Sequence, residues 1–253
     1  MPECWRFPTN STSLTRTEGQ VQTARLEEHL SELARGLDPA EREDLKLILS
    51  MAAGGLLGGH TQGTNTPRQD KALSVAQRAL PLLHKPVQTE IKGGVVFRGR
   101  APFFTERDIQ ALDAESRNER ARAGRFHDHL VVNDAPLARG LALSSDIRDY
   151  LESKVGPVFA TNKANYLYYD APGLGIDPHV DVDEFSLNVL TMLEHSGTRR
   201  SSLMLYPPDL PEQEVRLEPG ETLIFMADRV THERIRTIDD EKIRIVSFGY
   251  KLL

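Results

Sequence analysis

The sequence predicts a mainly β protein with added helices, built as an antiparallel sandwich or barrel such as a jelly roll. From about residue 90 onward, short apolar runs alternate with turn residues at fairly regular spacing, which is typical of antiparallel sheets. In the N-terminal part, apolar residues recur at three- and four-residue intervals, which is typical of amphipathic helices. The chain has 253 residues, enough to bury a core in one elaborated domain or in two small domains.

The N-terminal part is predicted to form a helical hairpin over residues 21–56. Its break falls at Asp38-Pro39, where an N-cap residue precedes a proline at the first helical position. Residues 54–70 contain two Gly-Gly pairs and Pro67, a composition typical of a flexible linker or of a mobile loop over a pocket. We therefore expect residues 1–70 to form a helical extension with a Gly-rich linker, and residues 71–253 to form the β-rich domain.

Two helices and eight strands are predicted after residue 90. The helices cover residues 106–121 and 144–155. The strands cover residues 95–97, 129–132, 158–169, 185–193, 202–206, 214–217, 222–225 and 243–250.

Composition excludes several classes of function. The net charge is −6, so no global attraction to nucleic acid is expected. No apolar stretch approaches the roughly 20 residues of a membrane span, and no secretory signal is visible at the N-terminus. The single cysteine fits a reducing compartment, and we expect the protein to be cytoplasmic. With one cysteine against eight histidines, a bound transition metal would have imidazole and carboxylate ligands.

The strongest indication of chemistry is the pair His179 and Asp181 at the end of an extended run. Residues two apart on a strand point to the same face, so an imidazole and a carboxylate can converge on one ion. Fifty intervening residues lead to His232, which follows an apolar strand and a turn. Two histidines and one carboxylate leave three positions of an octahedral ion open, as in non-haem Fe(II) sites that react with dioxygen.

A cationic residue follows the second histidine. Arg244 lies twelve residues after His232, within the last predicted strand. A guanidinium among apolar neighbours needs an anionic partner. That partner is either the carboxylate of a ligand or, at a half-exposed position, Asp240 or Glu241.

These parts, in this order and spacing, resemble the iron(II)- and 2-oxoglutarate-dependent dioxygenases over about residues 155–251. The resemblance implies a double-stranded β-helix with the metal near one mouth, and His179, Asp181 and His232 as the iron ligands. It also implies Fe(II), 2-oxoglutarate and O2 as cofactor and co-substrates, with hydroxylation of an unactivated C–H bond and release of succinate and CO2. Halogenation is not expected, because related halogenases have a small residue in the position of Asp181.

The same resemblance implies contacts for 2-oxoglutarate. Arg244 would bind its distal carboxylate, and Tyr168, with Tyr166 next on the same face, would bond that carboxylate from the strand before the His-x-Asp. Asn188 on the following strand is a further candidate. The family often has Arg-x-Ser, whereas here Ser247 lies three residues after Arg244 and on the opposite strand face, so it is not assigned.

Other interpretations stay open. The acidic residues around Asp181 are also typical of a solvated surface turn. His127 and His129 would share one strand face, as a second metal pair, as a hydrogen-bonded pair or as part of the substrate pocket. His195 is predicted to lie in a loop.

The expected substrate is a small molecule or an amino-acid-type compound. A hydroxylase of peptide or protein side chains from the same family is one alternative, and a metal-binding jelly-roll enzyme without 2-oxoglutarate is another. The sequence leaves open the substrate, the oligomeric state, and the choice between hydroxylation, desaturation and ring formation.

Overall fold

The computed structural model describes residues 18–84, 91–181, 185–207 and 210–253. Within these ranges, eleven strands form two sheets in which every pairing is antiparallel. The strands are β1 (Val95–Gly99), β2 (Gly124–Phe126), β3 (His129–Asn133), β4 (Val158–Tyr169), β5 (Ile176–His179), β6 (Leu187–Ser196), β7 (Leu203–Tyr206), β8 (Gln213–Val215), β9 (Thr222–Phe225), β10 (Thr231–Arg234) and β11 (Lys242–Leu252). The seven-stranded sheet has the order β1-β9-β6-β11-β4-β3-β2, and the four-stranded sheet has the order β5-β10-β7-β8.

Six α-helices accompany the sheets in the described residues. They are α1 (Glu18–Gly36), α2 (Pro39–Thr61), α3 (Pro67–Leu83), α4 (Glu106–Glu119), α5 (Pro136–Ala142) and α6 (Ser145–Val155). The predicted N-cap is confirmed: the Asp38 carboxylate accepts from the backbone N–H groups of Ala40 and Glu41 at 2.8 and 2.9 Å. Among the described helices, none has both the length and the apolar character that a membrane span requires.

All eight predicted strands are present, with ends that differ by up to three residues, and both predicted helices are present. β2 and β10 were not predicted, nor were α3 and α5, and β5 was expected only as the extended run that leads to His179. The prediction for His195 is wrong, because this residue lies in β6, where its Nε2 is 3.0 Å from a carboxylate oxygen of Glu241.

The prediction of a flexible linker over residues 54–70 is also wrong. α2 continues through both Gly-Gly pairs to Thr61, and the boundary expected at residue 70 falls inside α3. The physical reason is close packing: a Cβ on Gly54 would lie 2.5 Å from the carbonyl oxygen of Pro178 in β5. Glycine here lets a helix approach the backbone of a strand, and α2 forms a fixed wall beside that strand.

The two faces of the seven-stranded sheet have different partners. On the outer face, Tyr166, Tyr168 and Phe248 belong to a core that includes residues of α4, α5 and α6. On the inner face, Tyr169 and Ile245 belong to a core shared with the four-stranded sheet. Successive side chains of a strand alternate between these faces. A shift of one residue therefore moves a side chain from one core to the other.

Candidate metal centre

The three predicted ligands come together between the ends of β5 and β10. His179 and His232 are cross-strand partners in the antiparallel pair, and Asp181 lies two residues after the end of β5. The Asp181 carboxylate lies between the two imidazoles. Its Oδ1 is 3.3 Å from Nε2 of His179, and its Oδ2 is 3.6 Å from Nε2 of His232. One donor atom from each residue lies within 4.8 Å of the other two. Ligand bonds of about 2.1 Å at right angles place donors about 3 Å apart, so this arrangement fits one ion.

Hydrogen bonds to the backbone orient both imidazoles. Nδ1 of His179 lies 2.8 Å from the carbonyl oxygen of Asp177, and Nδ1 of His232 lies 2.9 Å from that of Val230. When Nδ1 carries the proton and donates to a carbonyl, Nε2 keeps its lone pair for a metal. Both histidines therefore present Nε2 towards Asp181.

The carboxylate of the set is held from two sides. The backbone N–H of Asp181 donates to the carbonyl oxygen of Ala227 at 2.9 Å. The Asn188 amide lies close to the Asp181 carboxylate and stabilises its charged form, while its own Oδ1 accepts from the Ser247 hydroxyl at 2.8 Å. Ser247 thus fixes which way the Asn188 amide points beside Asp181. Asn188 lines the cavity, but its described contacts are with Asp181 and Ser247.

The local electrostatics favour the protonation states that a metal needs. Burial and the nearby His179 lower the pKa of His232 to about 4. Burial alone would raise the pKa of Asp181, but the two histidines and the Asn188 amide outweigh it and hold that pKa below its usual value. Burial lowers the pKa of His179, yet the Asp181 carboxylate and backbone carbonyls outweigh this effect and raise it. The Asp181 carboxylate and a neutral His232 are therefore ready to bind a metal at neutral pH, and metal binding would compete with protonation of His179.

A cavity of about 720 Å³ opens beside the three ligands. Its walls come from β4, β6, β7, β10 and β11, from the β2–β3 hairpin and from Leu47 of α2. The volume lies within the range of roughly 300–1,000 Å³ that is usual for small-molecule pockets. Arg236 joins the hairpin to β5, since its Nη2 lies 2.7 Å from carboxylate oxygens of both Asp128 and Asp177.

Comparison with solved structures identifies the fold. The chain is similar to the non-heme alpha ketoglutarate dependent epimerase SnoN from nogalamycin biosynthesis, with 20% identity and a TM-score of 0.54 over 62% of this chain and 77% of that one. A second structure of SnoN, in complex with Fe3+, alpha ketoglutarate and nogalamycin RO, matches with 18% identity and a TM-score of 0.54 over 62% and 78% of the two chains. The chain therefore has the fold of the iron- and 2-oxoglutarate-dependent oxygenases.

Two further structures with this oxygenase fold agree. The non-heme alpha ketoglutarate dependent carbocyclase SnoK from nogalamycin biosynthesis is 15% identical, with a TM-score of 0.51 over 62% of this chain and 79% of that one. A prolyl hydroxylase from Trichoplax adhaerens, in complex with a peptide fragment of hypoxia inducible factor, is 17% identical, with a TM-score of 0.50 over 63% and 84%. No protein-family model matches the chain, and no curated protein matches it.

Arg244 and Tyr168 do not reach the cavity of this oxygenase fold, so their predicted contacts with 2-oxoglutarate are wrong. Both lie on the outer face of the seven-stranded sheet, paired with each other across β11 and β4. Nη2 of Arg244 lies 2.6 Å from Asp113 of α4 and 2.7 Å from Glu194 of β6. The Tyr168 hydroxyl donates to the carbonyl oxygen of Ser116 at 2.7 Å. The alternative that Arg244 forms an ion pair within the protein agrees with the structure, although its partners are neither Asp240 nor Glu241.

Two residues that the sequence analysis did not assign occupy the inner face instead. Tyr169, one position after Tyr168, lines the cavity, and so does Arg234, two positions after His232. The Arg234 guanidinium carbon lies 5.8 Å from the centre of the Tyr169 ring. The alternation rule that joined His179 with Asp181 would also have joined His232 with Arg234, had β10 been recognised as a strand.

The two histidines of the β2–β3 hairpin are not equivalent. His127 lies in the turn, exposed and with a φ of 50°, so it does not share a strand face with His129. Both line the cavity, but His179, Asp181 and His232 form the only set of three potential metal ligands in the described part of the chain. The buried His129 stacks on Tyr169 with centroids 5.6 Å apart, and its Nδ1 has no hydrogen-bond partner among the described residues.

Proposed function

We propose that the protein is an Fe(II)- and 2-oxoglutarate-dependent oxygenase that hydroxylates an unactivated C–H bond of a small molecule or amino-acid-type substrate. The observation that carries this proposal is the convergence of His179, Asp181 and His232 beside a cavity in an oxygenase fold. Bound by these residues, Fe(II) would couple the oxidative decarboxylation of 2-oxoglutarate to oxidation of the substrate.

The donor set fits iron on chemical grounds. Two imidazoles and one carboxylate are ligands of intermediate and hard character, and they occupy one side of an ion so that three positions stay open. The contacts behind the ligands support the same conclusion, because both imidazoles are oriented through Nδ1 and the carboxylate is oriented by Asn188. These contacts pre-organise the site, as a catalytic metal centre requires.

The chain's other contribution is to enclose the reacting groups. Leu190, Leu203 and Ile245 line the inner part of the cavity and keep it apolar. An apolar wall excludes water from the metal and strengthens electrostatic contacts made there. The cavity volume of about 720 Å³ supports a small molecule over a folded protein segment as substrate.

The primary test is to add Fe(II) and 2-oxoglutarate without oxygen and record the visible metal-to-ligand charge-transfer band. The band is expected in the wild-type protein and is expected to disappear in Asp181→Ala and in His232→Ala. His127→Asn is the matched control, because it removes a histidine from the cavity wall but not from the metal set, and asparagine tolerates the positive φ. Folded wild-type protein without the band at saturating concentrations would refute the proposal.

A second measurement distinguishes the outcomes of the reaction. Succinate release is followed with candidate small molecules and with peptides, and the products are analysed by mass. A gain of one oxygen atom supports hydroxylation, whereas loss of two hydrogens or an unchanged mass with altered stereochemistry points to desaturation, ring closure or epimerisation. Stimulation by peptides alone would support the side-chain hydroxylase, and metal binding without any effect of 2-oxoglutarate would support a different jelly-roll enzyme.

A further inference from the structure

We infer that Arg234, with Tyr169 beside it, binds the distal carboxylate of 2-oxoglutarate, so that the co-substrate anchor lies on β10 and not on β11. This inference rests on the proposed function, which supplies the co-substrate. It assigns the anchoring role to residues that the sequence spacing did not indicate.

The first step of the argument is the charge of Arg234. Its guanidinium stays protonated at any accessible pH, yet the residue is only 4% exposed. A buried cation needs an anionic partner and hydrogen-bond acceptors, because its desolvation cost is otherwise uncompensated. Among the described residues, no carboxylate lies within ion-pair distance of this guanidinium, and no hydrogen bond from its side chain is found.

The carboxylate of Glu241 acts on Arg234 electrostatically but is already engaged. Burial lowers the pKa of Arg234 and outweighs the opposing effects of Tyr169 and Glu241. One Glu241 carboxylate oxygen contacts His195 Nε2 at 3.0 Å and the Ser201 N–H at 2.7 Å. The other oxygen accepts from the Ile238 N–H at 3.3 Å. A partner for Arg234 is therefore expected to enter through the cavity.

The second step is position. His232 and Arg234 lie two residues apart on β10 and both line the cavity, which places their Cα atoms about 7 Å apart along the strand. The carbon chain of 2-oxoglutarate spans about 5 Å between its two carboxyl carbons. A co-substrate held at the metal by its 2-oxo acid end can thus extend its other carboxylate to the guanidinium. Leu203, the cross-strand partner of Arg234, offers an apolar surface to the methylene groups between them.

The third step is elimination of other cations. Arg125, Lys163 and Arg234 are the arginine and lysine residues among the described side chains that line the cavity. Arg125 is exposed in the β2–β3 hairpin, where its Nε donates to the carbonyl oxygen of His127 at 3.0 Å. Lys163 is partly exposed on β4, whereas Arg234 is buried at the end marked by Tyr169. Arg244 faces the other side of the sheet with two carboxylates.

Tyr169 completes the anchor. Its ring contacts His129 by stacking and lies beside the Arg234 guanidinium, so the ring position is fixed. Its hydroxyl, for which the described residues supply no hydrogen-bond partner, is expected to donate to the same carboxylate. Arg234 provides the charge and the bidentate fork, and Tyr169 adds one neutral hydrogen bond.

The test measures binding and not turnover. Protein loaded with Mn(II) is titrated calorimetrically with 2-oxoglutarate and with 2-oxovalerate, which has the same 2-oxo acid end and carbon number but no distal carboxylate. Arg234→Met is expected to weaken 2-oxoglutarate by about 100-fold, the usual scale for losing one partner of a buried charge pair. Binding of 2-oxovalerate and of Mn(II) should change by less than threefold. Tyr169→Phe should weaken 2-oxoglutarate by about 5- to 10-fold.

Arg125→Met and Arg244→Met are the controls, and each should leave the 2-oxoglutarate dissociation constant within threefold of wild type. Arg234→Met should fold without co-substrate, because it removes an unpaired buried charge. Arg234→Lys keeps the charge but loses the bidentate guanidinium. This variant should show a loss of 2-oxoglutarate affinity between those of wild type and Arg234→Met. The inference is overturned if Arg234→Met binds 2-oxoglutarate as wild type does, or if Arg244→Met alone weakens it. Wild-type protein that binds Mn(II) but neither 2-oxo acid refutes the proposed function, and the anchor with it.

Discussion

Gly54 is the point at which α2 touches β5, the strand that carries His179, and Gly54→Ala tests this contact. The new Cβ would lie 2.5 Å from the carbonyl oxygen of Pro178 and 3.4 Å from Cα of His179. Because these neighbours are backbone atoms, α2 or β5 must move by about 0.9 Å or more to bring this contact to an ordinary distance. Overpacking of this kind costs about 1–3 kcal/mol, whereas alanine at a helical glycine contributes about 1 kcal/mol of favourable propensity.

Gly55→Ala separates these two effects. A Cβ on Gly55 meets nothing within 4 Å, so this variant gains only the helix propensity. The difference between the two variants therefore isolates the clash, at about 1–3 kcal/mol in the free energy of unfolding, measured by urea denaturation. For a chain of this size the difference corresponds to about 2–12 °C in Tm. Gly54→Ala should also weaken metal binding, because the strand that it displaces carries His179.

The reasoning is refuted if Gly54→Ala is as stable as Gly55→Ala. That result would mean that α2 does not pack on β5 at this distance. If both variants were also less stable than wild type by the same amount, the loss would indicate a general sensitivity of α2 to side chains, which the open surroundings of Gly55 argue against.

Three further predictions concern side chains around the site and the sheet. Asn188→Leu removes the amide that orients Asp181 and should weaken metal affinity about 10- to 100-fold in a chelator competition, with little change in Tm. Arg244→Met should lower the free energy of unfolding by about 1–3 kcal/mol, because it leaves the partly buried Glu194 without its cation and Asp113 with Arg117 alone; Arg148→Met, at an exposed ion pair with Asp149, should cost under about 0.5 kcal/mol. Burial, followed by a neighbouring histidine, lowers the pKa of His129 to about 4. The unfolded chain therefore binds more protons than the folded one between about pH 4 and 6.5, and stability falls as pH falls through that window. His129→Phe keeps the stacked ring and should flatten this dependence in chelated protein; an unchanged slope would contradict the assignment.

Sequence reasoning identified the candidate metal ligands from local spacing along the chain. The alternation of an extended run joined His179 with Asp181, although β5 itself ends at His179, and His232 was found from its spacing after Asp181 and the apolar strand before it. Strand positions were predictable for the same reason, since apolar runs and turn residues are properties of short segments.

The cavity-lining residues Tyr169 and Arg234 were not predictable from spacing, because spacing does not decide which face of a strand a residue occupies. Tyr168 and Tyr169 differ by one position, yet one packs on α4 and the other lines the cavity. A shift of one residue exchanges the faces of a strand, and only the pairing of β4 with β11 decides which residue is inside. Arg244 lies at the expected spacing after His232, but in the structure it forms ion pairs with Asp113 and Glu194.

The prediction of a flexible linker from the α2 glycines was wrong for a different reason. A flexible linker and a close contact between a helix and a strand both require small residues, so composition alone does not distinguish them. The distinction depends on Pro178, a residue more than a hundred positions away in the chain.

The placement of His232 and Arg234 on one short strand has a consequence for selectivity. With both groups on β10, the distance between the metal ligand and the anchor is set by two peptide units and not by how two sheets pack. Breathing motions between the sheets would then leave that distance unchanged, although they would alter the volume available to the substrate. The backbone of β10 would therefore select 2-oxo diacids by the distance between their carboxylates. Residues on the substrate side of the cavity could vary without loss of this selectivity.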